Sequence, residues 1–149
     1  MKKVIVIGSG FAGLSAAAYL SKEGLDVTVV EKNKQIGGRA RNFKAKGYTF
    51  DMGPSWYWMP EIFDNFFHSF NHTTKDFYEL KKLDPGFKIV FDNADMILPA
   101  NWNEICDLFD RHEENGAKKL NKFMEDAEKK YSIGLRFLYN SPGLSVTEL

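Results

Sequence analysis

The chain has 149 residues, 44% hydrophobic and 15% aromatic, with 20 Lys and Arg against 20 Asp and Glu, the composition of a soluble globular protein of about one domain with enough apolar side chain for a core. Zero formal charge and a pI near 6.8 provide no basic field for nucleic acid, which is excluded as a partner. A lone cysteine, Cys106, has no internal disulfide partner and no Cys/His spacing for zinc, so a reducing, cytoplasmic setting is expected.

Met1-Lys2-Lys3 ahead of Val4-Ile5-Val6-Ile7, with Ala16-Ala17-Ala18 beyond, imitates a secretory signal. Glycines at fixed offsets within the apolar stretch argue against it, because a cleaved peptide gives them no backbone purpose. No run of about 18 apolar residues occurs, so no spanning helix is expected. A monotopic membrane contact stays open.

Lys3 to Ile7 is β-branched and apolar on both faces, as a parallel strand covered by helices on both sides requires. Gly8-Ser9-Gly10-Phe11-Ala12-Gly13 ends it. From Ala12 to Lys22, the residues Ala12, Gly13, Ala16, Ala17 and Leu20 recur at helical spacing and predict one closely packing face; Gly24 stops the helix. Leu25 to Glu31 then supplies a second strand with an acid at its carboxyl end, 23 residues after Gly8. The result is a βαβ unit.

Its parts suit a dinucleotide. Gly8 permits the turn off the strand, Gly10 lets a pyrophosphate approach the backbone, and Gly13 lets the helix pack on the strand. The helix N-terminus offers free N–H groups and the positive end of a dipole. Glu31 suits ribose hydroxyls and repels a 2′-phosphate, which favours FAD or NAD over NADP.

Next come Gln35-Ile36-Gly37-Gly38-Arg39-Ala40 and, after Gly47, Tyr48-Thr49-Phe50-Asp51-Met52-Gly53-Pro54-Ser55. An NAD domain proceeds here to a helix and a third parallel strand. This sequence does not. The paired glycines suggest a second close approach of backbone to cofactor, with the Arg39 guanidinium making a charge-assisted contact or closing the loop.

Aromatic residues crowd between Tyr48 and Phe91, with Trp56-Tyr57-Trp58 directly after the glycine turn. Pro60 opens a helix whose Ile62, Phe63, Phe66, Phe67 and Phe70 form one apolar face, read as a core face before a path for a polyene. His68 and His72 lie one helical turn apart without a third ligand, so no metal is expected. Asp76 to Leu83 and Gly86 to Phe91 read as strands, and Asp92 to Asp95 as a turn into Met96-Ile97-Leu98. A helix from Trp102, with Asn101 and Glu104 in capping-box spacing, is expected to end at Gly116. A longer one, from Ala117 to about Tyr139, stops at Pro142-Gly143, and its Glu125-Asp126 and Lys129-Lys130 read as a solvated face.

In their order, G-S-G-F-A-G-L at 8 to 14, V-V-E-K at 29 to 32, G-G-R at 37 to 39 and F-D-M-G-P-S at 50 to 55 resemble the start of the FAD-dependent amine-oxidase-type flavoproteins. The F-D-x-G-P-S form of the last motif resembles the phytoene desaturase branch, the bacterial carotenoid dehydrogenases. The resemblance implies an FAD site in which Gly8, Gly10 and Gly13 cradle the pyrophosphate with backbone from Ser9, Phe11 and Ala12. Glu31, with Lys32 beside it, meets the ribose; Gly38 and Arg39 lie by the pyrophosphate and ribityl chain; Met52, Gly53, Pro54 and Ser55 come near the flavin ring. No acid or base is implied, because the flavin itself accepts hydride.

The expected fold class is therefore α/β. A Rossmann-like FAD-binding βαβ unit (residues 1–75) is followed by part of an α+β substrate domain (76–149). The implied activity is FAD-dependent desaturation of a long apolar isoprenoid such as phytoene, a carotenoid precursor, with a peripheral membrane contact because that substrate lives in the bilayer. Family members are several times longer, so the chain reads as an N-terminal fragment, inactive alone. The alternatives are an amine oxidase-like or protoporphyrinogen oxidase-like flavoenzyme, or a non-catalytic FAD-binding or nucleotide-binding module completed by a partner chain.

Overall fold

A computed structural model describes residues 1–54 and 56–140, the side chains of 138–140 excepted. The chain divides into two compact units, Met1–Glu79 and Leu80–Leu149.

In the first unit, β1 (Lys3–Ile7), α1 (Phe11–Lys22) and β2 (Asp26–Val30) form the expected crossover. β1 and β2 pair in parallel, Lys3 opposite Asp26 through Ile7 opposite Val30, and the ladder extends by Gly8 N–H donating to the Val30 carbonyl at 2.7 Å. α1 covers one face of this pair. Val4 and Val6 are half-buried under it, whereas Ile5 and Ile7 are exposed. The expected cover on both faces is thus not seen among the described residues, because a single crossover helix shields a single face. On α1 itself, Ala17 is buried with Gly13 and Leu20 half-buried around it, while Ala12 and Ala16 point outward. The packing stripe is narrower than the alanines suggest.

After β2 the chain makes a 3-10 turn at Gly38–Ala40 and an antiparallel hairpin, β3 (Asn42–Ala45) and β4 (Tyr48–Asp51), joined by Lys46-Gly47. No third parallel strand follows among the described residues. α2 (Pro60–His68) begins with proline at its first position, where a missing N–H costs nothing. Its aromatic face packs on other rings: Phe63 meets Phe11 at 5.7 Å and Tyr57 at 5.0 Å between centroids, and Phe66 meets Tyr19 at 5.8 Å.

The strand expected over Asp76–Leu83 is absent. Residues 74–76 form a 3-10 turn instead, closed by Thr73 N–H donating to Asp76 Oδ2 at 2.8 Å and Asp76 N–H to the Thr73 carbonyl at 3.1 Å. Phe77 then stacks on Phe67 at 4.5 Å, and Tyr78 meets Tyr57 at 5.9 Å. An Asp one turn after a Thr competes with strand formation through these local bonds. His72 Nδ1 lies 3.3 Å from Asp76 Oδ2, and no group of three metal-ligating side chains occurs among the described residues.

The second unit holds a hairpin, β5 (Phe87–Val90) with β6 (Asp95–Leu98), and two packed helices, α3 (Trp102–His112) and α4 (Gly116–Asn140). Asn101 caps α3, its Oδ1 accepting from Asn103 N–H at 2.9 Å and Glu104 N–H at 3.4 Å. Gly116 does not terminate α3; it starts α4. Its Cα lies so close to the Phe109 carbonyl that a side chain would overlap it, so glycine is required by helix–helix approach and not by a C-terminal turn. The expected break at Pro142-Gly143 lies outside the described residues. No described helix is long and apolar enough to cross a membrane.

Candidate functional site

The carboxyl ends of β1 and β2 meet the N-terminus of α1. The turn begins at Gly8, whose φ of +99° is open to glycine and strained for any side chain. Gly10 is the N-cap of α1, with ordinary extended backbone (φ −76°, ψ −178°), no side-chain cap on the helix and no acid in its first turn. The positive helix end is therefore left for an external anion. A Cβ on Gly10 would touch only Gly38 Cα, at 3.9 Å, whereas one on Gly13 would overlap the Gly8 carbonyl. Phe11 and Ala12, the first residues of α1, are exposed.

The later glycine motifs fold onto this loop. Gly37 N–H donates to the Ser9 carbonyl at 2.9 Å, and a Cβ on Gly38 would stand 3.0 Å from Gly10 Cα. Gly53 in turn backs on Arg39, where a Cβ would lie 2.6 Å from its carbonyl oxygen, and Met52 N–H donates to the Arg41 carbonyl at 3.0 Å. Three motifs far apart in sequence thus stack in order, 8–13 against 37–39 against 52–53. Arg39 is exposed, and the loop is closed by a different arginine: Arg41 Nη1 donates to the Gly38 carbonyl at 3.3 Å. The sequence R-A-R holds both, and only the backbone register decides between them. Met52 is half exposed and Pro54 follows at the surface; Ser55 lies outside the described residues.

Glu31 is not an empty acceptor. Its Oε2 takes Ser9 N–H at 2.9 Å and Ser9 Oγ–H at 2.7 Å, and its Oε1 takes Asn33 N–H at 2.9 Å and Asn33 Nδ2–H at 2.7 Å. The backbone donors of Asn33 and Ser9, followed by the Ser9 hydroxyl, lower its carboxyl from the ordinary 4.5 to about 2. Ser9 is 1% exposed, which fixes the acid to the glycine loop. Asn33 was not foreseen as a site residue; its signal is a short amide two residues beyond a strand-ending acid, where an Asx side chain reaches back to the local turn. Lys32, next to the acid, is exposed.

Residues 6–73 match the family model of the NAD(P)-binding Rossmann-like domain, and this part of the chain has a Rossmann-like fold of α/β class. The chain is 39% identical over 138 residues to a carotenoid 3,4-desaturase of Haloarcula japonica, covering 91% of this chain and 28% of that protein. It is 35% identical over 136 residues to the 4,4′-diapophytoene desaturase (4,4′-diaponeurosporene-forming) of Staphylococcus aureus, covering 91% and 27%. A solved structure from Pyrococcus furiosus superposes on 65% of this chain and 24% of its own with a TM-score of 0.45 and 26% identity. The chain spans little more than a quarter of the length of the desaturases it matches.

Proposed function

Starting from a chain that carries a Rossmann-like domain and is related over nine-tenths of its length to carotenoid desaturases, we propose that it supplies the FAD-binding portion of an enzyme that dehydrogenates a long apolar isoprenoid. One observation carries the choice of FAD. The Gly37-Gly38 turn stacks on the Gly8–Gly13 loop and the Met52-Gly53 turn stacks on the Gly37-Gly38-Arg39 turn, extending the cradle beyond the reach of a single βαβ unit, where an NAD domain continues into another helix and strand.

The residues present fit that group. The uncapped first turn of α1 directs its N–H groups and dipole at a pyrophosphate, and Gly10 offers no side chain to hold it off. Glu31 would meet a ribose at its carboxylate once a present donor gives way, and its charge disfavours a 2′-phosphate. Gly38 and the Arg39 guanidinium would border the next stretch of the cofactor, and Met52 to Pro54 would lie nearest its ring. FAD supplies the two-electron acceptor for removing hydrogens from adjacent carbons; the chain's role is to bind, orient and shield. A substrate of this kind is stored in bilayers, so contact with a membrane surface belongs to the same proposal.

The test is retention of cofactor. The protein is incubated separately with FAD and with NAD, desalted, and its spectrum recorded. Flavin bands that stay with the protein, and no retained nicotinamide nucleotide, are expected. Retention of NAD with loss of FAD would overturn the reading.

A further inference from the structure

The four donors on Glu31 raise a question that a ligand must answer. A carboxylate offers about four lone-pair sites, and here Ser9 N, Ser9 Oγ, Asn33 N and Asn33 Nδ2 occupy all four at 2.7 to 2.9 Å. A ribose diol therefore enters by exchange. The two backbone donors are fixed by the chain. Ser9 Oγ belongs to a residue 1% exposed, and moving it would strand a buried hydroxyl. Asn33 is exposed, and rotation about its side-chain bonds carries the amide into water, where it finds new partners.

From this we infer that the Asn33 side-chain amide is a displaceable stand-in for a ribose hydroxyl: it holds Oε1 of Glu31 and swings out when an adenosine ribose binds. Asn33 then sets the affinity for the ribose by competing with it, while Ser9 keeps the carboxylate aimed. The inference rests on the dinucleotide reading above and adds a residue whose effect on affinity has the opposite sign to that of a ligand contact.

ADP is the probe, titrated calorimetrically into the full chain and its Asn33→Ala variant, with 2′,3′-dideoxy-ADP as the control. Asn33→Ala keeps the backbone N–H bond to Oε1, and a melt checks that the fold is unchanged. Removing one competing bond to a charged, exposed acceptor is expected to tighten ADP about three- to tenfold. The dideoxy compound, which has nothing to place on Oε1, binds both proteins alike. Equal ADP affinities would overturn the inference by showing that the amide does not compete, and weaker binding by the variant would overturn it by making Asn33 a ligand contact. Absence of ADP binding by both proteins would instead bring down the dinucleotide reading and the inference with it.

Discussion

Replacing Gly10 and Gly13 separately by alanine divides binding from folding. At Gly10 the backbone is extended with φ −76°, and the new methyl meets only Gly38 Cα at 3.9 Å, an ordinary contact. Alanine is a poorer N-cap than glycine by somewhat under 1 kcal/mol, and the stiffer unfolded chain returns about 0.4–1 kcal/mol, so stability changes by less than about 0.5 kcal/mol. The methyl nevertheless fills the concavity at the helix N-terminus, and flavin retention should be lost. At Gly13 the methyl overlaps the Gly8 carbonyl and lies 3.0 Å from its carbon, and both are backbone. Overpacking against atoms that cannot rotate away costs about 3 kcal/mol, offset by about 1 kcal/mol of helix propensity. A net loss of about 2 kcal/mol lowers the melting temperature by about 8 °C, at about 4 °C per kcal/mol for a chain of this size. Thermal melts followed by near-ultraviolet circular dichroism, paired with FAD retention after desalting, read both quantities. Gly10→Ala protein that keeps its flavin, or that melts several degrees lower without it, would refute the division of roles.

Glu31 titrates well below an ordinary carboxyl, so its contribution to stability is complete above about 4.5 and is lost as pH falls towards about 2; urea midpoints measured across that window should fall more steeply in the native protein than in Glu31→Gln. Asn101→Ala removes the acceptor for two N–H groups of α3 and should cost about 1 kcal/mol in a denaturant titration. Tyr57 is pushed above the usual tyrosine range by burial first and by the Tyr78 hydroxyl second; absorbance at alkaline pH should show a tyrosine step above that range, and Tyr57→Phe should abolish it.

What could be read in the sequence is what local geometry dictates. β1 runs from Lys3 to Ile7 in both reading and structure, and α1 ends at Lys22 in both, because β-branched runs and glycine punctuation act over a few residues. The readings that failed depended on distant partners or on competing side chains. Phe77 and Tyr78 have strand-like character, yet Thr73 and Asp76 close a turn before them and the rings of α2 draw them in. Gly116 looks like a helix stop until Phe109 is seen behind it. Arg39 and Arg41 are equivalent as letters, and only the register of the turn places Arg41 on the Gly38 carbonyl.

The glycines show why the motif is informative only when the structure explains most of it away. Gly13 is required by the Gly8 carbonyl, Gly38 by Gly10, and Gly53 by the Arg39 carbonyl, so each has a reason within the protein whether or not a cofactor binds. Gly8 is required by its backbone angle. Gly10 has neither reason: its conformation suits any residue, and a Cβ there would meet nothing closer than 3.9 Å. Of the glycines in these motifs that face the α1 N-terminus, it is the one whose missing side chain the protein's own packing does not demand. A ligand that must approach the backbone supplies the demand, which is why the same methyl group that leaves the fold intact should be the one that empties the site.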